Sequence, residues 1–79
     1  MESKIAVIGI VIENQESSSA INEILHEYSQ YIIGRMGVPY RERQIFVISL
    51  IVDASSKVIN DLTSQLGRVP DVTSKAIYS

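Results

Sequence analysis

The sequence predicts an α+β fold: a four-stranded antiparallel sheet in the chain order βαββαβ, with two helices on one face. Three observations predict it. The chain repeats itself, since KIAVIGIVIE from Lys4 lies over QIFVISLIVD from Gln44, each run closing on an acid, Glu13 or Asp53. Further on, AINEIL (Ala20 to Leu25) lies over VINDLT (Val58 to Thr63), so two copies of one unit are implied. Within each copy a Val- and Ile-rich run gives way to helical spacing and then to a weaker strand, which is the ferredoxin-like, or split βαβ, arrangement.

The elements follow in order. Residues 4–13 are too short and too rich in β-branched side chains for a helix, so they read as a strand. Ala20, Ile21, Ile24, Leu25 and Tyr28 recur at three and four residues, the spacing of one helix face. Ser17 to Ser19 offer side-chain oxygens to the free N–H groups at its start. Residues 30–37 read as the second strand and 44–53 as the third. Val58, Ile59, Leu62 and Leu66 mark a second helix, with Ser55 or Ser56 at its start and Gly67 suited to a left-handed position just after it. Residues 71–78 close the sheet. The duplicated halves, about 4–37 and 44–78, thus make one domain of residues 1–79.

Right-handed crossovers place strands one and three side by side in the middle. Both are apolar on both parities, so one parity packs under the helices while the other needs a cover. Four or more Ile and Val side chains per central strand are expected on that bare face, roughly several hundred Å² of apolar surface. With 46% hydrophobic residues in a 79-residue chain, a homo-oligomer is the simplest cover.

Composition excludes much chemistry. The absence of cysteine removes disulfides, thiolate metal sites and cysteine nucleophiles. His26 is the sole histidine; no metal site and no cofactor are expected, and no nucleophile elbow or base accompanies the serines. Glu23 and Glu27, four apart, read as a solvated helix face. The apolar run at the N-terminus is too short to span a bilayer and lacks a signal-peptide cleavage site, so a cytoplasmic location with no membrane partner is expected. A net charge of −2 argues against direct nucleic-acid binding. Strand one has no aromatic and strand three only Phe46, unlike base-stacking RNA-recognition sheets. The loop ENQESSS has two glutamates and no glycine, unlike a phosphate cradle.

GRMGVPYRER, residues 34–43, stands apart: it carries +2 in an otherwise acidic chain. It is expected at the end of strand two and in the turn into strand three. Gly34 and Gly37 allow a bulge, a close approach or a positive φ, and Pro39 holds Val38 extended. Arg35, Arg41 and Arg43 either pair with acids such as Glu42 and Asp53 or, with Tyr40 stacking beside them, form a site for an anionic ligand or an acidic partner surface.

VIGIVIEN, AINEILHEYSQYIIGRMGVPYRER, ISLIVDAS and LGRVPDV resemble a small family of stand-alone regulators assigned to the iron-only hydrogenase system, related in fold to ACT domains and to the C-terminal module of the nickel-responsive regulator. The similarity runs over essentially the whole chain. It implies an ACT-like fold, oligomerisation as a dimer or tetramer through sheet face or edges, and a transcriptional-regulator assignment in which the protein is not an enzyme. The nickel regulator's DNA-reading arm and its histidine and cysteine ligands have no counterpart here. ACT domains often hold an amino acid near a glycine of the first βα loop, whereas this loop has none and Gly9 lies in strand one. The expected function is a non-enzymatic regulatory module that senses a small ligand or docks on a partner protein. The alternative is a small anion-binding protein or enzyme built on Arg35, Arg41 and Arg43.

Overall fold

Strict alternation of buried and exposed residues along the first strand determines where everything else packs. In the computed structural model, which describes residues 3–78, this strand, β1, spans Lys4–Ile12, and Ala6, Ile8, Ile10 and Ile12 are all buried. A short 3-10 turn at Gln15–Ser17 leads into α1 (Ser18–Glu27), which buries Ile21 and Leu25. A second 3-10 turn at Ser29–Tyr31 opens into β2 (Ile32–Tyr40). Then come β3 (Ile45–Ala54), α2 (Ser56–Gly67), which buries Ile59, Leu62 and Leu66, and β4 (Val72–Tyr78).

The sheet order is β2-β3-β1-β4, with every neighbouring pair antiparallel. The βαββαβ order and the position of both helices over one face are therefore as the duplication predicts. Opposed residues share a face, so Ile8↔Leu50 and Ile10↔Ile48 put four side chains into the layer that receives the helices. A single core holds these residues, their strand neighbours and the buried positions of α1 and α2. At about 1.5–3 kcal/mol for each large aliphatic side chain removed from water, this layer is the main source of stability.

Several local expectations change. The second strand runs three residues beyond position 37, to Tyr40, so most of GRMGVPYRER is strand and not turn. Pro39 is accommodated because β2 is an edge strand with no neighbour asking for its missing N–H. A register shift between Ile32 and Gly34 shows that the bulge, not a positive φ, is how that end of the strand is adjusted. Gly67 is not left-handed: it ends α2 in the helix, and the Arg68 amide bonds the Gln65 carbonyl at 3.3 Å. Among the described residues the left-handed positions are Gln44 (φ 56°) and Asp71 (φ 63°), one in each tight connection between elements.

The serines at the helix starts divide their roles. Ser55 caps α2, its Oγ accepting from the Val58 amide at 3.3 Å. Buried Ser17 caps nothing; its hydroxyl donates to the Pro70 carbonyl at 2.7 Å. With Glu13 N–H donating to the Asp71 carbonyl (2.9 Å) and Asn14 Nδ2 to the Asp71 carboxylate (3.3 Å), it ties the β1–α1 connection to the α2–β4 connection.

Two substitutions separate the core from this clasp. Ile8→Ala should lower the unfolding free energy by about 2–5 kcal/mol, through lost burial plus a cavity. Ser17→Ala should cost about 0.5–1.5 kcal/mol, because water can reach the exposed Pro70 side of the bond. Urea titration followed by circular dichroism reads both, and equal losses would refute this division.

Candidate functional site

The edge strand β2 has three residues of one parity and three of the other within reach of function. Arg35↔Leu50, Gly37↔Ile48 and Pro39↔Phe46 lie on the helix side, while Met36↔Ser49, Val38↔Val47 and Tyr40↔Ile45 lie on the bare side. That parity splits the arginine-rich segment. Arg35 turns toward α1, where its Nη2 donates to the Asn22 Oδ1 at 2.8 Å. Tyr40 ends the strand, and Arg41 and Arg43 occupy the exposed turn before Gln44. Among the described residues none of the three arginines forms an ion pair, so the expected pairing with Glu42 or Asp53 is not what positions them.

A cleft of about 520 Å³ opens between the β2–β3 hairpin and the start of α1, a volume within the range of small-molecule sites. Its floor is apolar, built from Ile12, Pro39, Ile45 and Phe46. Its rim is polar, with Gln15 and Ser18 from the α1 side and Tyr40, Arg41 and Gln44 from the hairpin. Gly37 makes the floor possible, since a Cβ there would stand 3.1 and 3.3 Å from two carbons of the Phe46 ring. The ring therefore lies against bare β2 backbone. Arg41 is the one cation in this lining, and no lining residue is a carboxylate.

Of the four residues expected to act together, Tyr40 and Arg41 line this cleft, Arg35 belongs to a separate depression under α1, and Arg43 lines neither. Sequence reasoning did not find Gln15, Ser18, Gln44 and Phe46 as lining residues. Phe46 carried a signal, being the sole aromatic of the third strand, but only the register brings it opposite Pro39.

The bare face of the sheet is the second feature. Its rows run across all four strands. One joins Ile51, Val7 and Ile77, and another joins Val38, Val47 and Val11, all exposed. Between them lies a lower row of Met36, Ser49, Gly9 and Lys75, with open space above Gly9. The expectation of four or more aliphatics per central strand overstates it: β1 shows Ile5, Val7 and Val11, and β3 shows Val47, Ile51 and the half-buried Ile45, because Gly9, Ser49 and Asp53 take the remaining places. The edge strands supply the rest.

Among the described residues no group of three His, Asp or Glu side chains could hold a metal, and no helix is long and apolar enough to cross a membrane. The family model described as "Iron-only hydrogenase system regulator, putative" (TM1266-like) matches residues 4–76. The chain is similar to the solved structure of the uncharacterized protein TM1266 from Thermotoga maritima, with 28% identity, 98% of each chain covered and a TM-score of 0.94. It is similar in fold to the ACT domain of GTP pyrophosphokinase of Chlorobium tepidum, with 19% identity, coverage of 95% of this chain and 99% of that one, and a TM-score of 0.77. An ACT domain protein from Streptococcus pneumoniae gives 13% identity, 95% and 89% coverage and a TM-score of 0.63. None of the curated proteins matches the chain.

Gly37→Ala tests the floor of the cleft. The new methyl should push the Phe46 ring by a few tenths of an ångström and cost at most about 1 kcal/mol, since that ring is only half-buried. Ring-proton shifts at Phe46 should move while those of core residues such as Leu62 stay; unchanged Phe46 signals would refute the close approach.

Proposed function

The chain belongs to the iron-only hydrogenase system regulator family, and from that premise we propose that it is a non-enzymatic regulatory module, a homo-oligomer that pairs through the bare face of its sheet and senses a small ligand in the cleft beside the hairpin. The observation that carries this reading is the continuity of the two features. Tyr40 and Ile45, the last pair of the hairpin, have the parity of the bare face and also line the cleft.

The pairing follows from area and charge. Eight exposed aliphatic or Met side chains and Tyr40 spread over one face give a patch of several hundred Å², close to the roughly 800 Å² per partner of a standard interface. The face carries few charges: Lys75 in its central row and Asp53 at one end. A second copy presents the same apolar rows and the same two opposite charges, so self-pairing leaves no surplus charge of one sign. The cytoplasm is the compartment this reading assumes.

The cleft suits a small molecule with an apolar body, for Ile12, Pro39 and Phe46, and an anionic head, for Arg41. The lining contains no histidine, carboxylate or thiol to serve as base or nucleophile, which favours sensing over turnover. Docking on a partner protein would use the same hairpin.

Light scattering coupled to size exclusion should give a dimer or tetramer mass at micromolar concentration. Val7→Lys with Ile51→Lys should shift it to the monomer mass while the circular dichroism spectrum is kept. A wild-type monomer, or an assembly indifferent to the double substitution, would sink the proposed pairing. In a thermal-shift screen of carboxylate and phosphate compounds with apolar bodies, a ligand of the cleft raises the melting temperature, and Arg41→Gln should lessen that rise.

A further inference from the structure

On the opposite side of β2 from the bare face, under α1, four hydrogen-bonding side chains converge on a depression of about 380 Å³. Asn22, His26 and Ser29 come from α1 and the turn after it, Arg35 from the strand, and Leu25 and Ile32 form the floor. The spacing of 22 and 26 keeps those two on one stripe of α1, and Ser29 follows in the turn after it.

Arg35 is the one permanent cation of this lining and is exposed on the edge strand. Its register partner is Leu50, and its neighbours of the same parity on β3 are buried aliphatics. Its guanidinium has one hydrogen-bond partner among the described residues. One amino group is engaged by a neutral amide, Asn22 Oδ1 at 2.8 Å, and no described carboxylate pairs with it. Its charge therefore has no paired carboxylate among the described residues, and it shares the lining with His26 and Ser29. Every polar side chain in the lining can donate a hydrogen bond and none is acidic.

We infer that Arg35, Asn22, His26 and Ser29 form a second binding site, distinct from the Arg41 cleft, for a small oxyanion such as a phosphoryl or carboxylate group. Two or more charge-assisted or neutral donors reach its oxygens, with the planar fork of Arg35 as the principal contact. The site does not depend on the proposed assembly, because none of its residues lies on the bare face.

The test is titration of the ¹⁵N-labelled protein with inorganic phosphate, at constant ionic strength set by chloride, followed by amide chemical shifts. Saturable shifts are expected at Asn22, His26, Ser29 and Arg35. Arg35→Gln should weaken them at least about tenfold, the equivalent of one lost charge-assisted bond, while Arg41→Gln with Arg43→Gln leaves them in place. Arg35→Lys, which keeps the charge and loses the fork, should fall between. Formate in place of phosphate separates a general oxyanion site from one selective for phosphate; saturable binding of either at these residues supports the proposal. Absence of saturation with both, shifts confined to Arg41 and its neighbours, or shifts at the four residues that survive Arg35→Gln would overturn it. Each variant's unperturbed spectrum elsewhere reports that it has folded.

Discussion

Strand β1 is hydrogen-bonded on both sides, to β3 and to β4, in two registers of the same parity. Alternate residues of the whole sheet are thereby committed to one face. Because β1 is apolar on both parities, polarity alone does not choose which face the helices cover. Volume does. Gly9 and Ser49 are opposed on the outer face, and a slip of one residue would carry them into the core in place of Ile8, Ile10 and Leu50. The cavity left by each missing large side chain costs a few kcal/mol, which is a sharp penalty for a chain of this size. The small residues on the bare side therefore set the register as firmly as the large ones inside.

The cleft depends on that register at one remove. Its two walls are anchored independently. The α1 side is fixed by the bonds from Glu13, Asn14 and Ser17 to Asp71 and Pro70, which pin the connection that carries Gln15 and Ser18. The hairpin side is fixed by the β2–β3 ladder, which holds Phe46 against Gly37 and Pro39. Left-handed Asp71 and Gln44 allow the two chain reversals that bring these walls together. A site lined from separate, braced elements is close to preformed, and a ligand there loses little affinity to ordering the protein.

The sheet, both helices and the bare face were legible because the duplication exposes the same period twice and because Val and Ile on both parities of β1 and β3 have one structural explanation. The arginine site was legible only in part. GRMGVPYRER reads as a turn on account of its two glycines and proline, but an edge strand tolerates all three, so the five strand residues between them set Arg35 and Arg41 about 20 Å apart. Closeness in sequence is therefore not closeness in space here, and parity sends Arg35 and Tyr40 to opposite faces. Gly67 misled for a different reason: its φ is that of the preceding helix, and the last turn closes through the Arg68 and Val69 amides without a left-handed residue. Asn22 carries no signal in sequence, since its partner Arg35 is thirteen positions away on another element.

A regulatory role for so small a domain requires that a ligand distinguish two states, since binding equally to both shifts nothing. The positions of the two polar sites decide where such a difference can arise. The Arg35 depression lies behind β2, and an oxyanion bound there, as proposed, would meet the same surroundings whether or not the bare face is paired. The cleft is different, because Tyr40 and Ile45 belong to its lining and to the end of the bare face at once. In the proposed assembly a change of the Tyr40 rotamer on binding alters the partner's surroundings, and coupling energies of about 1–3 kcal/mol suffice to move a weak dimer equilibrium by one or two orders of magnitude. Linkage is reciprocal, so pairing of the faces must tighten or loosen the cleft by the same factor. Under the proposed reading, the hairpin tip, and not the buried core, is thus the part of this fold through which a bound molecule would report its presence.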